Sequence, residues 1–206
     1  MPTIAAHAVL FDLDGTLLDS TGAYLEIMRR ACERLGWPAP GLELMRAVMT
    51  HRQRPIEALF GPCDDADARE QALFAATAEI WEPVFTALAR PFPHTLELLR
   101  GLHRAGVRLG IVTDANDHIA ASIAGLPGCP PFETIVTRAR AGARKPDPAG
   151  IRLALAEMGI APQCALYIGD NPCDVEAAHG AGVRAVGITT GSSLHADLAA
   201  CTPHAI

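Results

Sequence analysis

The sequence predicts an α/β protein: a doubly wound parallel sheet with an all-helical segment inserted after its first strand. Three observations predict it. From about residue 92 onward, short apolar runs alternate with helical stretches, the pattern of parallel strands joined by crossover helices. Residues 18 to 91 carry helical periodicity alone. The apolar runs end in polar residues: Asp12 and Asp14 after the first, Thr113-Asp114 after the second, Gly169-Asp170 after the fourth. In an open parallel sheet such ends gather along the carboxyl edge, where sites form.

The first strand is the run Ala8-Val9-Leu10-Phe11, and Asp12-Leu13-Asp14-Gly15-Thr16 follows it. In extended chain, residues i and i+2 face the same side. Asp12 and Asp14 are therefore expected to converge, and two carboxylates that close need a cation or a shared proton. Gly15 permits a sharp turn beside them. Ser20 or Thr21 is placed to cap a helix carrying Tyr24, Ile27, Met28, Ala31 and Leu35, which Gly36 and Pro38 stop. Residues 42 to 60 read as helix broken at His51-Arg52-Gln53-Arg54-Pro55. A third helix starts at Asp64-Asp65-Ala66-Asp67, turns Leu73, Phe74, Ile80, Trp81 and Val84 toward a core, and bends near Pro83. Pro91-Phe92-Pro93 reads as a linker. Beyond it the expected order is helix 94–105, strand 107–112, a helix after Asn116, strand 134–136, helix 148–158, strand 165–168, helix 173–181, strand 183–187 and helix 193–200. Two domains follow: a core of residues 1 to 17 and 92 to 206, and a helical cap of residues 18 to 91.

The chain has 206 residues, half of them hydrophobic, which suits a packed core and not a disordered segment. Its net charge is −6, so a nucleic-acid partner is not expected. No apolar stretch is long enough to span a membrane, and the first residues lack the basic and apolar regions of an export signal. The six cysteines form no Cys-x-x-Cys pair, and none has a histidine at zinc-site spacing. Together these features point to a cytoplasmic protein with reduced thiols. Beyond a small-molecule substrate, the expected assembly is a monomer or a homodimer. The histidines other than His51 show no metal spacing and read as surface residues. Gly191-Ser192-Ser193 is expected only to cap the last helix.

Four stretches, in order, carry a resemblance: Asp12-Leu13-Asp14-Gly15-Thr16, Val112-Thr113, Lys145-Pro146-Asp147-Pro148, and Gly169-Asp170-Asn171-Pro172-Cys173-Asp174. They resemble the four motifs of the haloacid dehalogenase superfamily, across nearly the whole chain from about Val9 to about Gly187. That superfamily has a Rossmann-like core. The first motif is similar to its phosphatase branch. The helical insertion behind it resembles the subfamily IA cap of phosphoglycolate phosphatase-like and beta-phosphoglucomutase-like members.

The resemblance implies roles. Asp12 would be the nucleophile that forms an aspartyl-phosphate. Asp14 would be the acid that protonates the leaving alcohol and the base that activates water. An acid at position 14 suits departure of an oxygen and argues against dehalogenation. Mg²⁺ would be held by the Asp12 side chain, the Asp14 carbonyl and the Asp170 side chain. Asp174 would sit behind them or bind through water, or would cap the following helix. Lys145 would neutralise charge at the transferring group. Thr113 would donate its hydroxyl to the phosphate, with the backbone N–H of residue 114 beside it. The family often has Asn after this Thr. Asp114 in its place is expected to turn its carboxylate away and to serve the following helix N-terminus.

In the cap, His51 and Arg52 are the candidate substrate contacts, with Arg52 and Arg54 able to clamp a second anion, or else to form an exposed polar turn. Arg138, Arg140 and Arg144 are placed to make the site mouth positive, or to lie solvated. The expected activity is Mg²⁺-dependent hydrolysis of a small phosphate monoester, phosphoglycolate first, with cap closure excluding water. The same residues also suit a phosphomutase of the beta-phosphoglucomutase type, or a non-catalytic regulatory member of the fold.

Overall fold

The computed structural model describes residues 6–206. The chain opens with β1 (Ala8–Phe11) and the two-residue β2 (Leu18–Asp19). Five helices follow: α1 (Thr21–Arg34), α2 (Leu42–Met49), α3 (Pro55–Phe60), α4 (Ala66–Ala78) and α5 (Trp81–Leu88). After β3 (Arg90–Pro91) come α6 (Thr95–Arg104), β4 (Arg108–Thr113), α7 (Asp117–Ala124), β5 (Thr134–Thr137), the one-turn α8 (Arg138–Ala141) and α9 (Ala149–Met158). The chain ends with β6 (Ala165–Gly169), α10 (Pro172–Gly180), β7 (Arg184–Gly187) and α11 (His195–Ala200). It divides into two compact units, one holding the chain up to Asp19 and from Pro91 onward, the other holding Ser20–Arg90.

The first unit is built on a five-stranded parallel sheet in the order β5-β4-β1-β6-β7. The first strand in sequence is thus central. All four of its residues are buried, as expected of a strand covered on both faces. Leu10 faces a cluster with Val112, Val136 and Tyr167, closed by Ile151, Ala154 and Met158 of α9, Val175 and Ala178 of α10 and Leu198 of α11. Helices α6 and α7 pack on β4 and β5. Register sets Phe11 beside Ile111 on one side and Ile168 on the other. The carboxyl ends of β4, β1 and β6 therefore lie side by side, one strand spacing apart.

The second unit has its own core of Ala31, Cys32, Ile56, Ala66, Leu73 and Ala76, with Trp37 packed edge-on to Phe60 at 5.3 Å. Three local expectations need correcting. Ser20 occupies the N-cap position of α1, but its backbone is already right-handed helical, so its hydroxyl makes no cap bond. The third helix is two, α4 and α5, and Pro83 lies in the first turn of α5, where a missing N–H costs nothing. Phe74 is exposed: Leu73 and Ala76 take the inner face of α4, and Phe74 lies about 100° around the helix from Leu73.

Candidate active site

The regular strand β1 stops at Phe11, and the Asp12 N–H still donates to Ile168 O at 2.8 Å. Asp12 thus leaves the sheet at its centre, buried. The chain then turns through Leu13 and Gly15, whose φ of +77° suits a residue without a side chain. The same-face argument for Asp12 and Asp14 assumed strand geometry that ends before either residue. Asp14 lies in the turn, half-buried, bridging to Leu18.

Asp170 leaves the end of β6 in the same way and is buried. Thr16 Oγ1 donates to its Oδ1 at 3.3 Å and the Ser192 N–H to its Oδ2 at 3.3 Å. Backbone wraps it tightly. A Cβ on Gly15 would lie 2.7 Å from the carboxylate, and one on Gly191 would overlap it. Thr190 Oγ1 donates to Gly15 O at 2.6 Å, tying this loop to the turn after Asp12. The Gly191-Ser192 stretch was expected only to cap the last helix; it covers Asp170 instead. Neighbours 22 and 175 residues away in sequence leave no local signal for that.

Asp174 is the third position of α10 and accepts from the Asn171 N–H at 3.0 Å, closing a capping box. Its other oxygen accepts from Lys145 Nζ at 2.6 Å. The two readings of Asp174, helix cap and site residue, are both observed. Lys145 Nζ also donates to Asp12 Oδ1 at 2.6 Å and to the Tyr167 hydroxyl at 3.2 Å. Its side chain is only 7% exposed. One carboxylate oxygen from each of Asp12, Asp170 and Asp174 lies within 4.8 Å of the other two.

Electrostatics follow from this crowding. Burial, then the Asp174 and Asp170 charges, push the Asp12 carboxyl well above its ordinary range against the pull of Lys145. Burial and Asp174 lift Asp170 to about 7. Burial alone would lower the Lys145 pKa, but Asp12 and Asp174 outweigh it, and Lys145 stays charged. Burial pushes the Cys173 thiol up, so it is an unreactive neighbour.

Thr113 ends β4, buried, and its Oγ1 accepts from the Ala115 N–H at 3.1 Å, which leaves the hydroxyl hydrogen to donate. Asp114 does not serve the α7 N-terminus. Asn116 caps α7 by accepting from the Ile119 N–H at 2.9 Å. The Asp114 carboxylate accepts from the Lys145 N–H at 3.2 Å and lies 3.8 Å from Arg144, so it anchors the lysine loop. Arg140 is spent on Ile135 O and Glu157. In the helical unit, His51 and Arg52 are exposed. Arg54 does not pair with Arg52 to clamp a ligand: its guanidinium holds Glu70 at 2.8 and 2.9 Å and Asp67 at 2.5 Å.

The family model described as haloacid dehalogenase-like hydrolase matches residues 9–188. A phosphoglycolate phosphatase of Pseudomonas putida is 32% identical, the match covering 92% of this chain and 72% of the relative. An N-acetylmuramic acid 6-phosphate phosphatase of Pseudomonas aeruginosa is 30% identical over 93% of this chain and 85% of the relative. A structure from Bacteroides fragilis, described as haloacid dehalogenase-like, superposes with a TM-score of 0.84 at 26% identity, covering 98% of this chain and 96% of that one. Among the described residues, no helix is long and apolar enough to cross a membrane. The chain belongs to the haloacid dehalogenase-like hydrolases and is a phosphatase of their phosphoglycolate phosphatase-like branch.

Proposed function

We propose that this chain hydrolyses the phosphate monoester of a small carboxylate-bearing molecule, phosphoglycolate first, through an aspartyl-phosphate on Asp12. The observation that carries the reading is the Asp12–Lys145–Asp174 cluster beside Asp170, buried at the sheet edge. The two relatives above support the substrate class, since both are named for phosphate esters that carry a carboxylate.

Three buried carboxylates around one ammonium leave an excess of negative charge, and hard oxygen donors fit Mg²⁺. The close approach of Gly15 and Gly191 to Asp170 holds that carboxylate in place for an ion. The Asp12 and Asp170 side chains with the Asp14 carbonyl would hold it. When bound, Mg²⁺ would offset charge on the phosphoryl oxygens.

The chain's own residues do the rest. Lys145 opposes the burial that raises the Asp12 pKa and aims its carboxylate. Asp14 passes a proton to the leaving alkoxide and later takes one from water. Thr113 donates to a phosphoryl oxygen. We assign residues 20 to 90 as the cap and the remainder as the catalytic core, on the compactness of each.

Phosphate release from an aryl phosphate with and without Mg²⁺ tests the reaction, and a panel of phosphorylated acids tests the class. Asp12→Asn should be inactive, and activity surviving in it would remove the nucleophile assignment. A sugar phosphate returned as its isomer instead of free phosphate would turn the reading to a mutase.

A further inference from the structure

The Lys145 ammonium has three hydrogens, and three oxygens stand within hydrogen-bond distance of it. Two belong to Asp12 and Asp174. The third belongs to Tyr167, which is neutral and lies in the middle of β6. That strand reads Ala-Leu-Tyr-Ile-Gly, and Tyr167 is fully buried. Its ring packs with Leu10 and Val112, a task an apolar residue performs without a polar atom to satisfy.

The hydroxyl has definite work. Its oxygen lies 2.8 Å from Val112 O, which has no hydrogen to offer, so the phenol donates there. Asp174 Oδ1 is farther, at 3.3 Å, and one O–H cannot serve both. Burial raises the phenol pKa, so the hydrogen stays on. A lone pair is left facing Lys145 at 3.2 Å. Val112 directly precedes Thr113. One neutral hydroxyl thus joins the end of β4 to the ammonium that touches Asp12.

We propose that Tyr167 is a positioning residue: its hydroxyl, fixed on the Val112 carbonyl, holds the Lys145 ammonium in register with the Asp12 carboxylate. The proposal rests on the reading of Asp12 as nucleophile. Carboxylates hold an ammonium strongly but with little directional demand, and both of these are also required elsewhere: Asp12 by the reaction, Asp174 by the α10 cap. The phenol has no other duty and is locked in a packed strand.

Tyr167→Phe removes one oxygen and keeps the ring. The expected result is kcat about tenfold lower, the size of one hydrogen bond to a charged group, with KM within about twofold. In a Lys145→Met background the same change should cost nothing further. An independent loss in that background would show a merely structural role and overturn the proposal.

A second readout needs no turnover. The ¹⁵Nζ resonance of Lys145, the single lysine of the sequence, should move in Tyr167→Phe while the arginine side-chain signals stay, and an unmoved resonance overturns the proposal. If Tyr167→Phe does not fold, 3-fluorotyrosine replaces both tyrosines of the chain, Tyr24 and Tyr167. Lys145→Met should then shift the ¹⁹F signal of Tyr167 and not that of Tyr24; two unmoved signals overturn the proposal. Variants that move these resonances, beside a wild-type protein that releases no phosphate, would sink the proposed function and leave the positioning intact.

Discussion

Lys145 and Arg54 are both basic residues that each hydrogen-bond two carboxylates, and they do opposite work. Lys145 is 7% exposed and lies among three buried acids. Arg54 is 42% exposed, and its partners Asp67 and Glu70 open to solvent at 87% and 31%. In water the Arg54 pairs are screened and hold two helices loosely in register. Without water, the same kind of pairing at Lys145 decides which groups are ionised. The location of a charge, more than its partners, separates a reactive cluster from a structural one.

The contrast can be broken or sharpened by five measurements. Asp12→Asn should lower kcat about 10⁴-fold or more, since it removes the attacking atom. Lys145→Met should lower kcat by about 10²–10³-fold with the fold retained, the loss of a preorganised cation at the reacting centre; a loss below tenfold would place it with Arg54. Gly191→Ala forces a methyl group into Asp170 and should weaken Mg²⁺ binding by about 10–100-fold, read by calorimetry.

The fourth concerns pH. Asp170 holds its proton more tightly folded, at about 7, than unfolded, near its ordinary 3.8. Its stabilising contribution is therefore complete at low pH and is lost as pH rises through about 7. Metal-free protein should lose melting temperature from about pH 4 to about pH 7 and level off above that, and Mg²⁺ should restore it at the upper end. A melting temperature that climbs with pH in EDTA would contradict the burial of Asp170. The smallest effect belongs to Arg54→Ala, which should leave kcat unchanged and the melting temperature within about 2 °C. A large rise in KM would return Arg54 to the substrate.

The sheet was legible because its strands are continuous apolar runs, Ala8-Val9-Leu10-Phe11 and Ala165-Leu166-Tyr167-Ile168 being the plainest. Asp12, Lys145 and Asp170 were legible from the order of motifs that the chain resembles. The missing parts share one cause: their contacts cross the chain. Nothing near Tyr167 announces that its oxygen meets Lys145, 22 residues away, or that Thr190 ties to Gly15 across 175 residues. The one available hint was a single phenol in a buried aliphatic strand. Asp114 was misread because a residue close before a helix invites a capping role, while the cap itself is Asn116. The gap between α4 and α5 was missed because Pro83 suggests a bend, and the break falls three to four residues earlier, at Glu79 and Ile80.

The central position of β1 has a consequence during synthesis. Its four apolar residues leave the ribosome well before their partners, β4 and β6. At roughly 5–20 residues per second, the chain takes on the order of ten seconds or more to supply Ile168 opposite Phe11. For that interval an apolar strand has at least one edge unpaired, and both until β4 is made, which invites association with other chains. Residues 20 to 90 are contiguous and can gather their own core while β1 waits. The nascent protein is thus most vulnerable at the strand that will later carry its nucleophile, and its demand for chaperone protection should fall only once β6 has emerged.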